Sequence, residues 1–135
     1  MKLEYCADAI MIYQNKLVLV ERLNEPKGFA LPGGRRDYVG GELEEVTTCA
    51  IREVEEETGL TLVIEGQLGT YDAPGRDPRG PKISTVVYGK ASGEIRDEPN
   101  KTRVFLMDLK EVNQHKDYFV FDHYYIIKDW QESIK

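Results

Sequence analysis

Near its N-terminus the chain contains two short apolar runs that have the composition of β-strands. Apolar residues fill positions 9–13 and 17–20, and the polar residues 14–16 separate the two runs. This arrangement predicts a β-hairpin. A third short run, 29–31, stops at Pro32-Gly33-Gly34, so a turn follows it. Further strands are predicted at 60–68, 83–88 and 103–107.

Two longer segments have the spacing and composition of helices. Positions 42–57 are rich in helix-forming residues, and Gly59 stands where a helix would end in a left-handed cap. Positions 117–134 place apolar and aromatic residues at helical intervals, so this segment should pack on the sheet. Strands combined with two helices indicate a single α+β or layered α/β domain over residues 1–135. The expected apolar face of the first helix consists of Leu43, Val46, Ala50 and Val54.

Charge and composition narrow the classes of function. The net charge of −6 argues against broad attraction to nucleic acid, which depends on Lys and Arg, although a cation or a local basic cluster would still allow phosphate binding. No apolar run approaches the roughly 20 residues that a membrane-spanning helix needs. The N-terminus shows no signal or transit segment, so the cytoplasm is the expected location. Cys6 and Cys49 match no metal-site spacing, and we expect both to be buried as small apolar residues.

The strongest indication of chemistry is an acidic stretch within the first predicted helix. Glu53, Glu56 and Glu57 stand at i, i+3 and i+4, so their carboxylates project from one side of a helix. Like charges at this spacing weaken a helix unless a cation offsets them. Mg²⁺ prefers oxygen ligands and keeps positions open for substrate phosphate oxygens. A solvated acidic face is the simpler alternative for an isolated run of glutamates.

The context of this stretch favours a metal site. Residues 52–60 read Arg-Glu-Val-Glu-Glu-Glu-Thr-Gly-Leu, and Leu31-Pro32-Gly33-Gly34 precedes them. This combination resembles the Nudix box, GX5EX7REUXEEXGU with U aliphatic, and the second half matches at every fixed position. The resemblance covers most of the chain and implies the Nudix fold, an α/β/α layered arrangement in which a mixed β-sheet is sandwiched between helices.

The same resemblance implies roles for individual residues. Glu53, Glu56 and Glu57 would bind Mg²⁺, with Mn²⁺ as an alternative, and backbone at Gly33 would complete the metal site. Arg52 would orient the carboxylates by ion pairing.

The first half of the box departs from the family pattern. From Gly34 to Arg52 the chain is four residues longer than usual. The first glutamate of the box stands eight residues before its arginine, and counting back from Arg52 places it at Glu44. The pair Gly41-Glu42, however, looks more like the family's usual Gly-Glu pair and would place it at Glu42. A simple account places two extra residues in the loop 35–41 and starts the helix about half a turn early, which would bring Glu42 near the side of Glu53.

The sequence leaves the general base open. A glutamate of the box, Glu56 or Glu53, is one candidate, and a loop carboxylate, Glu98 or Asp97, is another. The predicted catalytic set is Arg52, Glu53, Glu56 and Glu98.

Two basic pairs are candidates for substrate binding. Residues 76–80, Arg-Asp-Pro-Arg-Gly, resemble a loop of ADP-ribose pyrophosphatase-type Nudix proteins, and Arg76 and Arg79 could bind phosphate or ribose. In the alternative interpretation these arginines pair with Asp72 or Asp77 in a rigid turn. Arg35 and Arg36 either reach phosphates or solvate their loop.

These features favour a small-molecule nucleotide as the partner, with no nucleic acid and no membrane. The leading hypothesis is hydrolysis of ADP-ribose or a related nucleotide sugar to a nucleoside monophosphate and a sugar phosphate. One alternative is a nucleoside triphosphate pyrophosphohydrolase of nucleotide-pool sanitation, and another is a ligand-binding sensor without catalysis. Dimers are common in the ADP-ribose branch of the family, but no sequence feature marks a homodimer interface here.

Overall fold

A seven-stranded mixed sheet forms the central layer of the computed structural model, which describes residues 2–135. A separate two-stranded hairpin, two α-helices and a 3-10 helical segment complete the elements. The strands are β1 Glu4–Tyr13, β2 Lys16–Arg22, β3 Gly28–Ala30, β4 Gly33–Arg35, β5 Tyr38–Val39, β6 Glu42–Leu43, β7 Thr61–Tyr71, β8 Lys82–Ser92 and β9 Thr102–Met107. The helices are α1 Val46–Thr58 and α2 His123–Ser133, and the 3-10 segment spans Leu109–Tyr118.

Strand β1 lies at the centre of the sheet. The order is β3-β2-β1-β8-β7, with β4 also paired to β1 and β9 to β2. β1 runs parallel to β8 from the pair Glu4↔Lys82 onward, and antiparallel to β4, where Asp8 faces Gly33. The N-terminal half of β1 therefore pairs both with the start of β8, directly after the preceding loop, and with the glycines of β4.

Alternate residues of β1 are buried on opposite faces of the sheet. Ala7, Ala9 and Met11 pack with Ala50 and Val54 of α1. On the other face the buried cluster joins strand residues to the 3-10 segment and α2: Ile10, Leu17, Leu19, Leu31, Val86, Met107, Val112, Ile126, Ile127 and Trp130. Helices thus cover both faces, and the predicted α/β/α layering is confirmed.

The predicted first hairpin is confirmed. β1 and β2 pair antiparallel at Tyr13↔Lys16. Gln14 and Asn15 both have positive φ, 51° and 66°, as a two-residue turn of the hairpin type requires.

Helix α1 begins later than the sequence predicts. It starts at Val46, whereas 42–43 form strand β6, so Leu43 does not belong to its apolar face. Gly40 and Gly41 have positive φ and turn the chain, so that β5 pairs with β6 in a hairpin that takes up the extra residues. The account that divided the insertion between loop and helix is therefore wrong. The predicted cap is confirmed, because Gly59 has φ 77°.

The second predicted helix, 117–134, is also shorter than expected. Residues 109–118 form the 3-10 segment, and α2 begins only at His123. Phe121 has φ 59°, a left-handed conformation that interrupts any continuous right-handed helix. Periodic apolar positions extend across this break because both segments pack on the same face of the sheet.

The expectations for the cysteines are confirmed, since Cys6 and Cys49 are both free and buried. Within residues 2–135, no helix is long and apolar enough to cross a membrane.

Candidate active site

The carboxylates of Glu53, Glu56 and Glu57 on α1 differ in how far they are exposed to solvent. The Glu53 side chain is 16% exposed and that of Glu56 is 51% exposed. Glu57 is half-buried, and its Oε1 accepts a hydrogen bond of 2.7 Å from the Gly33 backbone N–H. Burial raises the pKa of Glu57 well above its ordinary value, and burial also raises the pKa of Glu53 despite the adjacent Arg52.

Arg52 connects the helix to the segment before it. Its Nε and Nη2 donate to the two carboxylate oxygens of Glu44 at 3.0 and 2.8 Å, and its Nη1 donates to Glu53 at 2.9 Å. The paired guanidinium lowers the pKa of Glu44 to about 2, and the Glu44 side chain is only 8% exposed. Glu42 is exposed on β6. Of the two alternatives for the upstream glutamate, the geometry therefore favours Glu44.

Two glycines let the β4 backbone approach the carboxylates. A β-carbon at Gly34 would lie 2.5 Å from the carboxyl carbon of Glu53. A β-carbon at Gly33 would overlap the Ala7 carbonyl and Asp8, with Asp8 Cα only 2.7 Å away. The obstacle at Gly34 is the movable end of a side chain, whereas at Gly33 it includes backbone atoms that cannot move without shifting β1.

Gly34→Ala and Gly33→Ala should therefore have different effects. Gly34→Ala should displace the Glu53 carboxylate in a folded protein and raise the Mg²⁺ concentration for half-maximal activity by about 10–100-fold. Gly33→Ala should destabilise the fold by about 2 kcal/mol through overpacking. Metal titration of activity and urea unfolding of both variants would test this. Equal stability losses in the two variants would contradict it.

The donor set fits a hard divalent cation. Arg52 already supplies positive charge to Glu53 and Glu56, whereas Glu57 has no basic side chain within ion-pair distance among residues 2–135. In that part of the chain no three acidic, histidine or cysteine side chains already stand at metal-ligand spacing. Desolvated carboxylates nevertheless gain most from a cation, and all-oxygen donors suit Mg²⁺ or Mn²⁺.

Of the two loop carboxylates, Glu98 lies nearer to this cluster. Its charge contributes to the raised pKa of both Glu53 and Glu57, and its side chain is 24% exposed. Asp97 instead accepts a 2.9 Å hydrogen bond from the Val104 backbone N–H, which supports the start of β9. The structure thus separates the two candidates by position.

Basic side chains line the same groove as the carboxylates. Two adjoining cavities form this central groove and share Cys6, Arg22, Gly33, Gly34, Arg79 and Lys82; Glu57 lines one cavity, and Glu53 with Arg35 lines the other. We call Arg22, Arg35, Arg79 and Lys82 the basic wall. Arg35 and Lys82 both pair with Glu4, and Arg79 pairs with Asp77 at 2.8 Å. The groove therefore combines basic and acidic side chains, although the chain as a whole carries a net charge of −6.

The remaining predicted arginines are placed differently. The Arg76 side chain is 5% exposed and donates two hydrogen bonds to Asp122, at 2.9 and 2.7 Å. It lines the groove, but its carboxylate partner is Asp122 and not Asp72 or Asp77, the partners that the alternative interpretation suggested. Arg36 donates to the Glu44 carbonyl and lines a separate cavity, so the structure does not bring it into the central groove.

Sequence reasoning missed a buried polar network beneath the groove. Asp8 accepts a hydrogen bond from the Ser84 hydroxyl, and its Oδ2 lies 3.6 Å from His123 Nε2. His123 Nδ1 accepts the Leu31 N–H at 2.8 Å, and burial lowers the pKa of His123, so the ring is neutral with its proton on Nε2. An aspartate within an apolar strand was the available signal for Asp8.

Comparisons with known proteins agree with this geometry. A NUDIX domain family model matches residues 3–130. An ADP-ribose pyrophosphatase of Methanocaldococcus jannaschii is 39% identical over 126 residues, which cover 91% of this chain and 70% of that protein.

Two solved structures share the fold. A bifunctional NMN adenylyltransferase/ADP ribose pyrophosphatase of Francisella tularensis, complexed with AMP and manganese, has a TM-score of 0.84 and 26% identity, covering 99% of this chain. The matched region spans 42% of that bifunctional chain. The Nudix domain of Shewanella oneidensis NrtR, complexed with ADP-ribose, has a TM-score of 0.81 and 23% identity, covering 100% of this chain and 90% of that one. By family model, sequence identity and fold, the chain belongs to the Nudix family of pyrophosphohydrolases.

Proposed function

We propose that this chain hydrolyses the pyrophosphate linkage of ADP-ribose or a closely related nucleotide sugar. The observation that carries the proposal is the central groove, which is lined by Glu53 and Glu57 and also by the basic wall. A pyrophosphate bound in this groove would meet both a metal site and guanidinium and ammonium donors. The 39% identity to an ADP-ribose pyrophosphatase supports this choice of substrate.

The metal ligands of the proposal are Glu53, Glu56 and Glu57, with backbone at Gly33 completing the site. Nudix hydrolases use divalent metals, and we propose Mg²⁺, with Mn²⁺ as a substitute. Bound there, the cation would lower the pKa of the attacking water and neutralise the pyrophosphate. Arg52 would hold Glu53 and Glu56 in place through its ion pairs at 2.9 and 3.4 Å.

Proton transfer is proposed for Glu98. As water attacks one phosphorus of ADP-ribose, the P–O–P bond breaks, giving AMP and ribose 5-phosphate, and the Glu98 carboxylate accepts the water proton. Its position near Glu53 and Glu57 supports this role over Asp97, which holds β9. Glu53 or Glu56 would serve instead if Glu98→Gln retained turnover.

We propose that Arg79 and Arg35 donate hydrogen bonds to the substrate phosphates. Arg76 would do the same while it stays paired with Asp122. A guanidinium fork that is already oriented loses less entropy on binding phosphate.

Product analysis would test the function directly. The purified protein would be incubated with Mg²⁺ and, separately, ADP-ribose, other nucleotide sugars, dinucleotide cofactors and nucleoside triphosphates, followed by chromatography. AMP and ribose 5-phosphate from ADP-ribose are expected. Pyrophosphate released only from triphosphates would assign nucleotide-pool sanitation. Tight binding of ADP-ribose without any turnover would assign a sensor.

A further inference from the structure

Phe121 occupies an unusual place beside the central groove. It lies in the turn before α2, is half-buried and lines the same cavity as Glu57 and Gly33. Its φ of 59° is rare for an aromatic residue, and such conformations persist where the surroundings determine them. The next two residues supply that constraint, since Asp122 binds Arg76 through two hydrogen bonds and His123 accepts the Leu31 N–H.

Two guanidinium groups lie over the Phe121 ring. The central guanidinium carbons of Arg22 and Arg79 are 5.5 and 5.0 Å from the ring centroid, within the range of cation–π attraction. Both arginines belong to the basic wall, and they come from strand β2 and from the loop before β8. Phe121 therefore joins two distant parts of the chain at the groove.

Arg22 differs from Arg79 in having no acidic partner. Its Nε and Nη2 donate to the backbone carbonyls of Pro26 and Glu25 at 2.8 and 3.3 Å, and no carboxylate of residues 2–135 forms an ion pair with it. Burial lowers the pKa of Arg22, and the charge of Arg79 lowers it further. The attraction to the ring offsets part of this repulsion between like charges.

We infer that Phe121 is a positioning residue whose ring holds Arg22 and Arg79 together so that their free N–H groups bind one phosphate group of the substrate. A phosphate between the two guanidinium groups would supply the negative charge that Arg22 lacks in the folded chain. The inference rests on the proposed function only in requiring a phosphate-bearing substrate. It adds Arg22 and Phe121 to the groove, neither of which the sequence motifs indicate.

The test compares Phe121→Leu with Phe121→Tyr, because leucine keeps apolar bulk while tyrosine keeps the aromatic face. Phe121→Leu should raise KM for ADP-ribose by roughly tenfold, with kcat nearly unchanged, and should weaken inorganic pyrophosphate binding by the same factor. Phe121→Tyr should restore both values. Calorimetric titration with pyrophosphate and Mg²⁺ gives an affinity that does not depend on which nucleotide is hydrolysed. Phe105→Leu, which removes an aromatic ring outside the groove, is the matched control.

A double-mutant cycle separates positioning from simple packing. If the ring acts through Arg22, Phe121→Leu should weaken pyrophosphate binding much less in an Arg22→Gln background than in the wild type. Equal losses in both backgrounds, equal losses with leucine and tyrosine, or no pyrophosphate binding by the wild type would overturn the inference. If ADP-ribose is not hydrolysed but pyrophosphate binding follows the expected pattern, the proposed function fails and the role of Phe121 stands.

Discussion

Glu56→Gln is expected to reduce magnesium-dependent turnover by about 10³-fold while the protein stays folded. Glutamine keeps the size of the side chain but removes the charge that a divalent cation requires. The folding cost should be small because the Glu56 side chain is 51% exposed and its ion pair with Arg52 is 3.4 Å long. The measurements are kcat at saturating Mg²⁺ and Tm by thermal unfolding.

Glu55→Gln is the matched control for this substitution. Glu55 is an exposed neighbour on the same helix, but it does not share the i, i+3, i+4 positions of Glu53, Glu56 and Glu57. Its replacement removes the same formal charge from α1, so a general effect of helix charge would appear in both variants. Full activity of Glu56→Gln, or equal losses in the two variants, would contradict a metal-binding role.

The acidic helix could be predicted from sequence because its information is local. Spacing along one helix determines that Glu53, Glu56 and Glu57 share a side, whatever the rest of the fold does. The same holds for the first hairpin and for the Gly59 cap. The helix start could not be located, because residues 42–45 are compatible with a helix and only the turn at Gly40 and Gly41 directs them into a hairpin.

The basic wall could be predicted only in part, because several strands contribute to it. Arg79 belongs to a recognisable motif, but Arg22 is an ordinary strand-end residue until β2 and the loop before β8 meet. Lys82 reaches the groove through the parallel pairing of β8 with β1, a contact between distant residues. Sequence spacing contains no direct record of such pairings. Phe121 was missed because its neighbours in 117–134 have helical spacing, and that spacing predicts a continuous helix in place of the turn before α2.

The carboxylate partners of the loop arginines could be identified only from the structure. Both Arg76 and Arg79 have carboxylate partners, as the rigid-turn alternative expected, but Arg76 is bound by Asp122 of a distant segment. Pairing and substrate binding are compatible where the arginine keeps free donors. Arg79 is the clearer case, because its side chain is 45% exposed at the groove.

Arg52→Gln is expected to reduce both stability and activity. The substitution leaves the Glu44 carboxylate, whose side chain is 8% exposed, without its guanidinium partner. The protein should lose about 2 kcal/mol of stability at pH 7. This loss is smaller than the cost of breaking a fully buried pair, because the Arg52 side chain is 30% exposed. Loss of the contacts to Glu53 and Glu56 should also lower kcat. Urea unfolding at pH 7 and activity assays would measure the two effects.

The stability deficit of Arg52→Gln should depend on pH in a defined direction. In the wild type the pKa of Glu44 is lowered from 4.5 to about 2, so its stabilising effect is present above pH 4.5 and is lost as the pH falls toward 2. The difference between variant and wild type should therefore shrink on acidification through that window. Arg103→Gln, which breaks an exposed pair with Glu21, should change stability little at either end. A deficit that stays constant from pH 7 to pH 3 would show that Arg52 stabilises the fold through packing and not through the charge of Glu44.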